Sequence, residues 1–551
     1  MKPPLTIRTL IDARAAQFPD KPFLLAASEG EESGASDSVA DARANTLTFG
    51  ELRDDCRALE ARFCEAGLRP GDVVSVFMGN GIQTARLLLA AMYSGLVANP
   101  LNLLCQPSQL RYIVEHSDTR MIFAGRETRG AVAVAVAGLH EQGLADDIVL
   151  VQTEPDALKP PALLQTEPAL AEATAGAAAQ PATAPRVSVL RRDAAHSCAP
   201  EPDADVALLM YTSGTTGAPK GVLLTHRNLL ANARNITSEH RLGTDDRVLA
   251  ALPLYHINGL VVTLIAPLFH GGSVVMTSRF SARTFWCDVA RYGCTWINVV
   301  PTIVAYLLNN DEPRTFDLSA LKFCRSASAA LPIDHHRAFE ARFGIGIIET
   351  MGMTETAAPV FCNPYEAASR RIGSIGLPSG CEAKVIGRDG HECAPHECGE
   401  LVLRGEQVMS GYYKRPEETR AAFTDDGWLR TGDLGYRDGD GYFYINGRAK
   451  ELIIKGGENI APREIDEALL RHPGVLDAAA VGVPDTAYGQ EIVAFVVPRA
   501  GEGQGALDVA DLHAHCLREL GRYKTPKAFH FVAELPRGPS GKVQRLKLVP
   551  P

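Results

Sequence analysis

Nothing in the 551 residues reads as a membrane span, a secretion signal or a disulfide framework. The longest strongly apolar run, near 260–269, falls far short of the roughly 20 residues needed to cross a bilayer. The N-terminal MKPPLTIRTLIDARAAQFPDKP lacks the apolar core of a signal peptide, and its Asp12 argues against an organellar transit peptide. Leu5, Ile7, Leu10, Ile11 and Ala15 suit one face of a short packed helix instead. The twelve cysteines are scattered without a CxxC pair, which reads as the reduced thiols of a soluble cytoplasmic enzyme. A net charge of −10 argues against nucleic acid or an anionic membrane as the main partner. Small anions stay in play, because loops and helix ends bind phosphate whatever the net charge. No repeat with a 20–50-residue period is present, which excludes solenoids and propellers. His391, Cys393, His396 and Cys398 crowd together, but Pro395 and Gly399 mark a surface hairpin rather than a zinc site.

What is present is an ordinary globular composition, 46% hydrophobic and 22% charged, over a length that suits a large domain and a smaller one. Two segments look inserted: polar Glu29–Asn45 and Ala/Pro/Thr-rich Pro155–Asp205, the latter a long surface loop or partly disordered excursion. Elsewhere strand-like and helix-like patterns alternate, as in a strand over Asp72–Phe77 followed by a helix over Ile82–Ser94, which predicts an α/β layer architecture. Past Gly399 the texture becomes turn-rich β. A strand–turn–helix unit follows: ELIIK, Gly456-Gly457, then a helix opening at Pro462 and ending before His472-Pro473-Gly474. The expected domains are 1–449, with the insertion at about 155–205, and 450–551.

Met210-Tyr211-Thr212-Ser213-Gly214-Thr215-Thr216-Gly217-Ala218-Pro219-Lys220-Gly221 follows an apolar strand, Val206–Met210. Consecutive small residues free backbone N–H groups to form an anion-binding nest, four hydroxyls add donors, and Lys220 supplies a point charge. Pro219 stands where a Walker A loop needs its second glycine, so a GTPase- or kinase-like P-loop is not indicated.

YTSGTTGAPKGV resembles the phosphate loop of the adenylate-forming superfamily, which holds acyl- and aryl-CoA synthetases, luciferases and peptide-synthetase adenylation domains. LPLYHINGL, ETMGMTET, GELVLRG, GWLRTGDLGY, INGRAKELIIKGGENIAPREID and PRGPSGKVQR follow in that family's order. The resemblance implies a large N-terminal α/β adenylation domain with β-rich subdomains and a small mobile α+β C-terminal domain. It implies an ATP-dependent acid–thiol ligase: acid and MgATP give acyl-AMP and pyrophosphate, and coenzyme A then takes the acyl group. Glu355 would hold Mg²⁺ with the Thr215 hydroxyl, both hard oxygen donors, while Thr354 contacts the α-phosphate. Ser328, Ala329, Glu349, Met351, Gly352 and Met353 would surround the nucleotide, and Asp433 with Arg448 the ribose. Tyr255 and His256 would close the acyl channel, with His256 reaching the carboxylate. Lys542 would bridge carboxylate and phosphate oxygens as charge develops. The C-terminal domain would then turn about Lys450, withdrawing Lys542 and bringing Lys455–Asn459 forward, so that Gly456 and Gly457 line the pantetheine channel.

Two positions depart from the family pattern. Met351 stands where an aromatic residue often stacks on adenine, and Ser326-Ala327-Ser328-Ala329-Ala330 replaces the usual glycine- and proline-containing segment. CRSASAALP and MTETAAPVFCNP are similar to the oxalate–CoA ligase branch, which hints at a small or polar acid, with Arg325 a possible clamp for a second carboxylate. A medium- or long-chain or aryl acid stays open, as do a carrier protein acting in trans as acceptor and a homodimeric assembly. A catalytically silent nucleotide sensor would not need Lys542 beside Lys220, Glu355 and Asp433.

Overall fold

The computed structural model describes residues 6–27, 45–140, 148–161, 205–212, 218–310, 316–448, 450–499, 507–537 and 543–550. Ile7, Leu10, Ile11 and Ala15 are the buried face of the first helix, Ile7–Gln17, as their spacing predicts. Most of the polar segment after Ser28 lies outside the described residues.

Two large sheets are built from strands between Pro22 and Pro378, with Gly411–Tyr412 added at the edge of one. One has seven strands, in which Val149–Gln152, Thr119–Ala124, Val73–Phe77, Val97–Pro100 and Val206–Thr212 run parallel. The other has nine, with a parallel centre formed by Pro22–Ala26, Ser273–Met276, Arg247–Ala250, Trp296–Val299, Phe323–Ser326 and Ile347–Met353. Helices buried between the sheets explain why these strands are apolar on both faces. Every residue of the helix Ile82–Tyr93 is buried. The apolar run near 260 is no regular α-helix: Asn258–Ile265 is a π-helix, wholly buried, that passes into Ala266–His270. A Cβ at Gly259 would stand 2.1 Å from the Pro253 carbonyl oxygen, so only glycine lets this helix begin here.

The first residues of the second inserted segment are loop, as composition suggests, but not a loose one. Pro155–Pro161 is tied down: the Gln83 amide donates to Pro155 O (2.7 Å), Arg86 to Ala157 O and Leu158 O, and Arg62 to Pro161 O. Backbone carbonyls make these bonds, and composition does not show them. Residues 162–204 lie outside the described set.

A four-stranded antiparallel sheet follows: Cys381–Ile386, Gly399–Gly405, Leu429–Arg437 and Phe443–Arg448. It starts one strand before Gly399, and the crowded 391–398 stretch is the connection between its first two strands. After residue 450 a separate sheet is built from Ile453–Lys455, Glu458–Ile460, Val475–Asp485, Gly489–Pro498 and Ala528–Phe531. The helix Pro462–Leu470 packs on it with Pro462 in its first turn, through Ile465, Ala468 and Leu469.

Candidate active site

Parallel strands collect ligand-binding residues at their C-terminal ends, where the chain leaves the sheet. Phe323–Ser326 and Ile347–Met353 are neighbours, with Ser326 opposite Glu349. Ser328 and Ala329 follow the first strand, while Met351, Gly352 and Met353 end the second and run into Thr354–Thr356. Ser328 has φ +76°. A left-handed serine is costly, so the surrounding contacts hold it there. Gly352 is required, since a Cβ would meet Ala358 O at 2.1 Å. Asn232 holds the turn from behind, its amide donating to Thr356 O (2.8 Å) and Pro359 O (3.0 Å).

Glu355 therefore leaves a fixed backbone. Tyr412 donates its hydroxyl to Glu355 Oε1 at 2.9 Å, and Lys220 Nζ stands 5.0 Å from the centre of the Tyr412 ring. Burial first, then the charge of Glu355, pushes the Tyr412 phenol well above its ordinary range, so it stays protonated and donates. Thr212 ends its strand opposite Lys220. Ser213, Gly214, Thr215, Thr216 and Gly217 lie outside the described residues, as does Lys542.

Asp433 and Arg448 face each other across adjacent strands, with Arg448 Nε 2.9 Å from Asp433 Oδ1. The negative charge of Asp433 is the largest influence raising the Arg448 pKa, and Glu355 adds to it, which brings this pair and the Glu355 cluster into one electrostatic neighbourhood. Tyr255 and His256 lie just before the π-helix, their ring centroids 4.9 Å apart. Burial pushes the Tyr255 phenol up to about 12.

Glu349 lies in the strand that ends in Met351, Gly352 and Met353. It is buried, and its Oε1 accepts the Leu331 amide at 3.4 Å, so it braces the 326–331 segment from beneath. Gly456 and Gly457 form the turn of the hairpin Ile453–Ile460, at φ +56° and +85°. A Cβ at Gly457 would meet nothing within 4 Å, whereas one at Gly456 would lie 2.9 Å from the Tyr523 hydroxyl. Lys455 is buried, paired with Glu491 (2.5 Å) and donating to Tyr523 O (3.0 Å). Lys450 is exposed, two residues beyond Arg448. The ends of the Lys542 segment are held, because Arg537 and Val543 form an antiparallel bridge. Arg545 pairs with Asp466 and with Glu451 (3.4 Å).

A cavity of about 1050 Å³ lies elsewhere, lined by Tyr436, Tyr444, Asn446, Gly447, Arg463 and Glu467, and contains none of these residues. In the 391–398 hairpin, ligand atoms of His391, Cys393 and Glu397 come within 4.8 Å of one another. His391 is already engaged there by Asp389 and Glu397.

The strand ends thus carry an oriented carboxylate with a lysine near its tyrosine partner, and an Asp–Arg pair. The family comparison decides what kind of site this is. The AMP-binding enzyme family matches residues 11–413, and its C-terminal domain matches 464–542. The chain belongs to this family. It is an AMP-forming acid–CoA ligase of the adenylate-forming superfamily. It is 62% identical over 544 residues to a sulfoacetate–CoA ligase of Cupriavidus necator, covering 99% of this chain and 97% of the relative. An oxalate–CoA ligase of Arabidopsis thaliana is 35% identical over 91% of this chain and 92% of its own. The ATP-bound structure of MatB from Rhodopseudomonas palustris superposes with a TM-score of 0.79 at 30% identity, over 98% of both chains. Among the described residues, no helix is long and apolar enough to cross a membrane.

Tyr412 and Asn232 escape motif reasoning, whereas Glu451 lies inside INGRAKELIIKGGENIAPREID with its pairing to Arg545 invisible there. Tyr412 has a faint signal, in the aromatic pair Tyr412-Tyr413 just after GELVLRG. Asn232 has none.

Proposed function

We propose that this ligase activates a small, polar carboxylic acid, with sulfoacetate the first to test. The observation that carries the reading is the 62% identity, over nearly the whole chain, to an enzyme named for that acid. In the proposed first half-reaction the acid's carboxylate attacks the α-phosphate of ATP and pyrophosphate leaves. Lys542 offsets the negative charge that develops between them, and Thr354 holds the phosphate. Asp433 accepts hydrogen bonds from the ribose hydroxyls, with Arg448 fixing its carboxylate. Glu355 suits a magnesium ion: it is a hard oxygen donor, one oxygen is fixed by Tyr412, and the other has no partner among the described residues. Thr215 would be the second ligand. Magnesium, when bound, neutralises phosphate charge.

In the second half-reaction the coenzyme A thiol attacks the acyl carbonyl and AMP leaves. We assign this step to a turn of residues 450–551 about Lys450, which brings Gly456 and Gly457 to the pantetheine arm. The test is pyrophosphate release across sulfoacetate, oxalate, malonate, propionate, octanoate and benzoate, with and without coenzyme A. Highest kcat/KM on a small polar acid supports the reading, and preference for octanoate or benzoate overturns it.

A further inference from the structure

Among the described residues, Arg325 is a buried cation that the proposed mechanism leaves without a task. It lies in the strand Phe323–Ser326 with 1% of its surface exposed. Parallel register sets it beside Asn298. Its Nη1 donates to Asn298 Oδ1 (2.6 Å) and Asn258 Oδ1 (2.8 Å), while its Nε is buried with no partner. Among the described residues no carboxylate is found to act on it, and burial pushes its pKa down to about 10 against smaller opposing effects of Cys362 and Cys324. The guanidinium thus stays charged at neutral pH, with amide dipoles on one edge and no countercharge. Taking a charge out of water is strongly unfavourable unless an opposite charge meets it.

The location matches that need. Asn258 opens the π-helix two residues after His256, and its amide also donates to Ser328 Oγ at 3.1 Å. A single carboxamide therefore separates the guanidinium from the left-handed Ser328, and the same residue adjoins the acyl-channel segment. Asn298 Nδ2 donates to Asn258 Oδ1 (3.2 Å), which fixes both carboxamides with their oxygens toward Arg325. A brace between the π-helix and the sheet would need only a neutral donor. A planar, permanently charged fork is what a second anion on a short acid needs.

We propose that Arg325, backed by Asn258 and Asn298, forms a subsite for a second anionic group, sulfonate or carboxylate, on the acid being activated. It rests on the small-polar-acid reading and deepens it by naming what the polar group must be. An uncharged tail of the same size leaves the buried cation uncompensated, so discrimination arises against monoanionic acids.

The experiment compares sulfoacetate, malonate and propionate in pyrophosphate release by wild type, Arg325→Met and Arg325→Lys, with calorimetric titration of each acid. Arg325→Met is expected to lower kcat/KM for sulfoacetate relative to propionate at least a hundredfold, with propionate within about threefold of wild type. Arg325→Lys, which keeps the charge but not the fork, should fall between. Comparing sulfoacetate with malonate shows which anion the subsite prefers. An unchanged ratio, or equal loss on both acids, overturns the subsite while leaving the small-acid reading intact. Preference of wild type for octanoate or benzoate overturns that reading, and the subsite with it. Should Arg325→Met fail to fold, thermal unfolding of wild type decides: sulfoacetate must raise Tm more than propionate at equal concentration, and equal shifts overturn the proposal.

Discussion

The hydroxyl of Tyr412 donates to Glu355 Oε1 at 2.9 Å, joining two residues 57 positions apart. A hydrogen bond to a charged acceptor is worth about 1.5–3 kcal/mol. Tyr412→Phe should therefore raise the Mg²⁺ concentration for half-maximal pyrophosphate release by roughly tenfold, and Glu355→Gln should raise it further. Unaltered Mg²⁺ dependence in Glu355→Gln would remove that carboxylate from the metal site.

Lys542 is assigned to the adenylating step alone. Lys542→Ala should abolish adenylate formation from acid and ATP, yet still transfer the acyl group from ready-made acyl-AMP to coenzyme A. Lys450→Pro fixes one hinge dihedral near −65° and should let bound adenylate accumulate while thioester formation stalls. Half-reaction assays on both variants, with circular dichroism to confirm folding, check this. Equal loss of both halves in a folded Lys542→Ala would rule out the division of labour.

The two glycines of the 453–460 hairpin should respond differently. Gly457 faces open space, but its φ of +85° is poorly tolerated by other residues. Gly457→Leu should fold, spare adenylation and slow thioester formation at least tenfold, as an order-of-magnitude expectation for a blocked close approach. Gly456→Leu additionally meets Tyr523, so it should also lower Tm, which differential scanning calorimetry would show.

Three buried histidines predict acid sensitivity. Burial holds His226 and His270 down to about 4 and His240 to about 3. His226 Nδ1 accepts the Ile7 amide at 3.3 Å, which a protonated ring cannot do. These rings are neutral in the folded chain and charged in the unfolded chain below about 6.5, so the unfolded state binds more protons on acidification. Stability should be flat above that pH and fall below it, by up to about 1.4 kcal/mol per pH unit for each histidine. Urea denaturation between pH 7.5 and 5 reads the slope, and His226→Asn should reduce it. A slope unchanged in that variant would count against the assignment.

Legibility from sequence follows how local each feature is. The strands at 73 and 206, the helix at 82 and the Pro462 helix start declare themselves through periodicity and caps within a dozen residues. Asp433 and Arg448 could be named because each lies in its own motif, and the structure adds that they pair. Arg325 could be singled out, but its lack of a countercharge depends on Asn258 and Asn298, 67 and 27 residues away. Composition marks 155–161 as loop but does not show that it is tied down, since its bonds are made by carbonyls, which every residue has. The π-helix escaped for a related reason: a uniformly apolar run has no periodicity to read.

The antiparallel bridge between Arg537 and Val543 has a kinetic corollary. Lys542 adjoins a residue anchored to its own domain, and Arg545 is held by Asp466 and Glu451. The lysine is thus cargo of the domain that bears it, and on the proposed mechanism a single rotation coordinate commits each chain to one half-reaction at a time. Without coenzyme A, such a chain should release one equivalent of pyrophosphate in a burst and then wait.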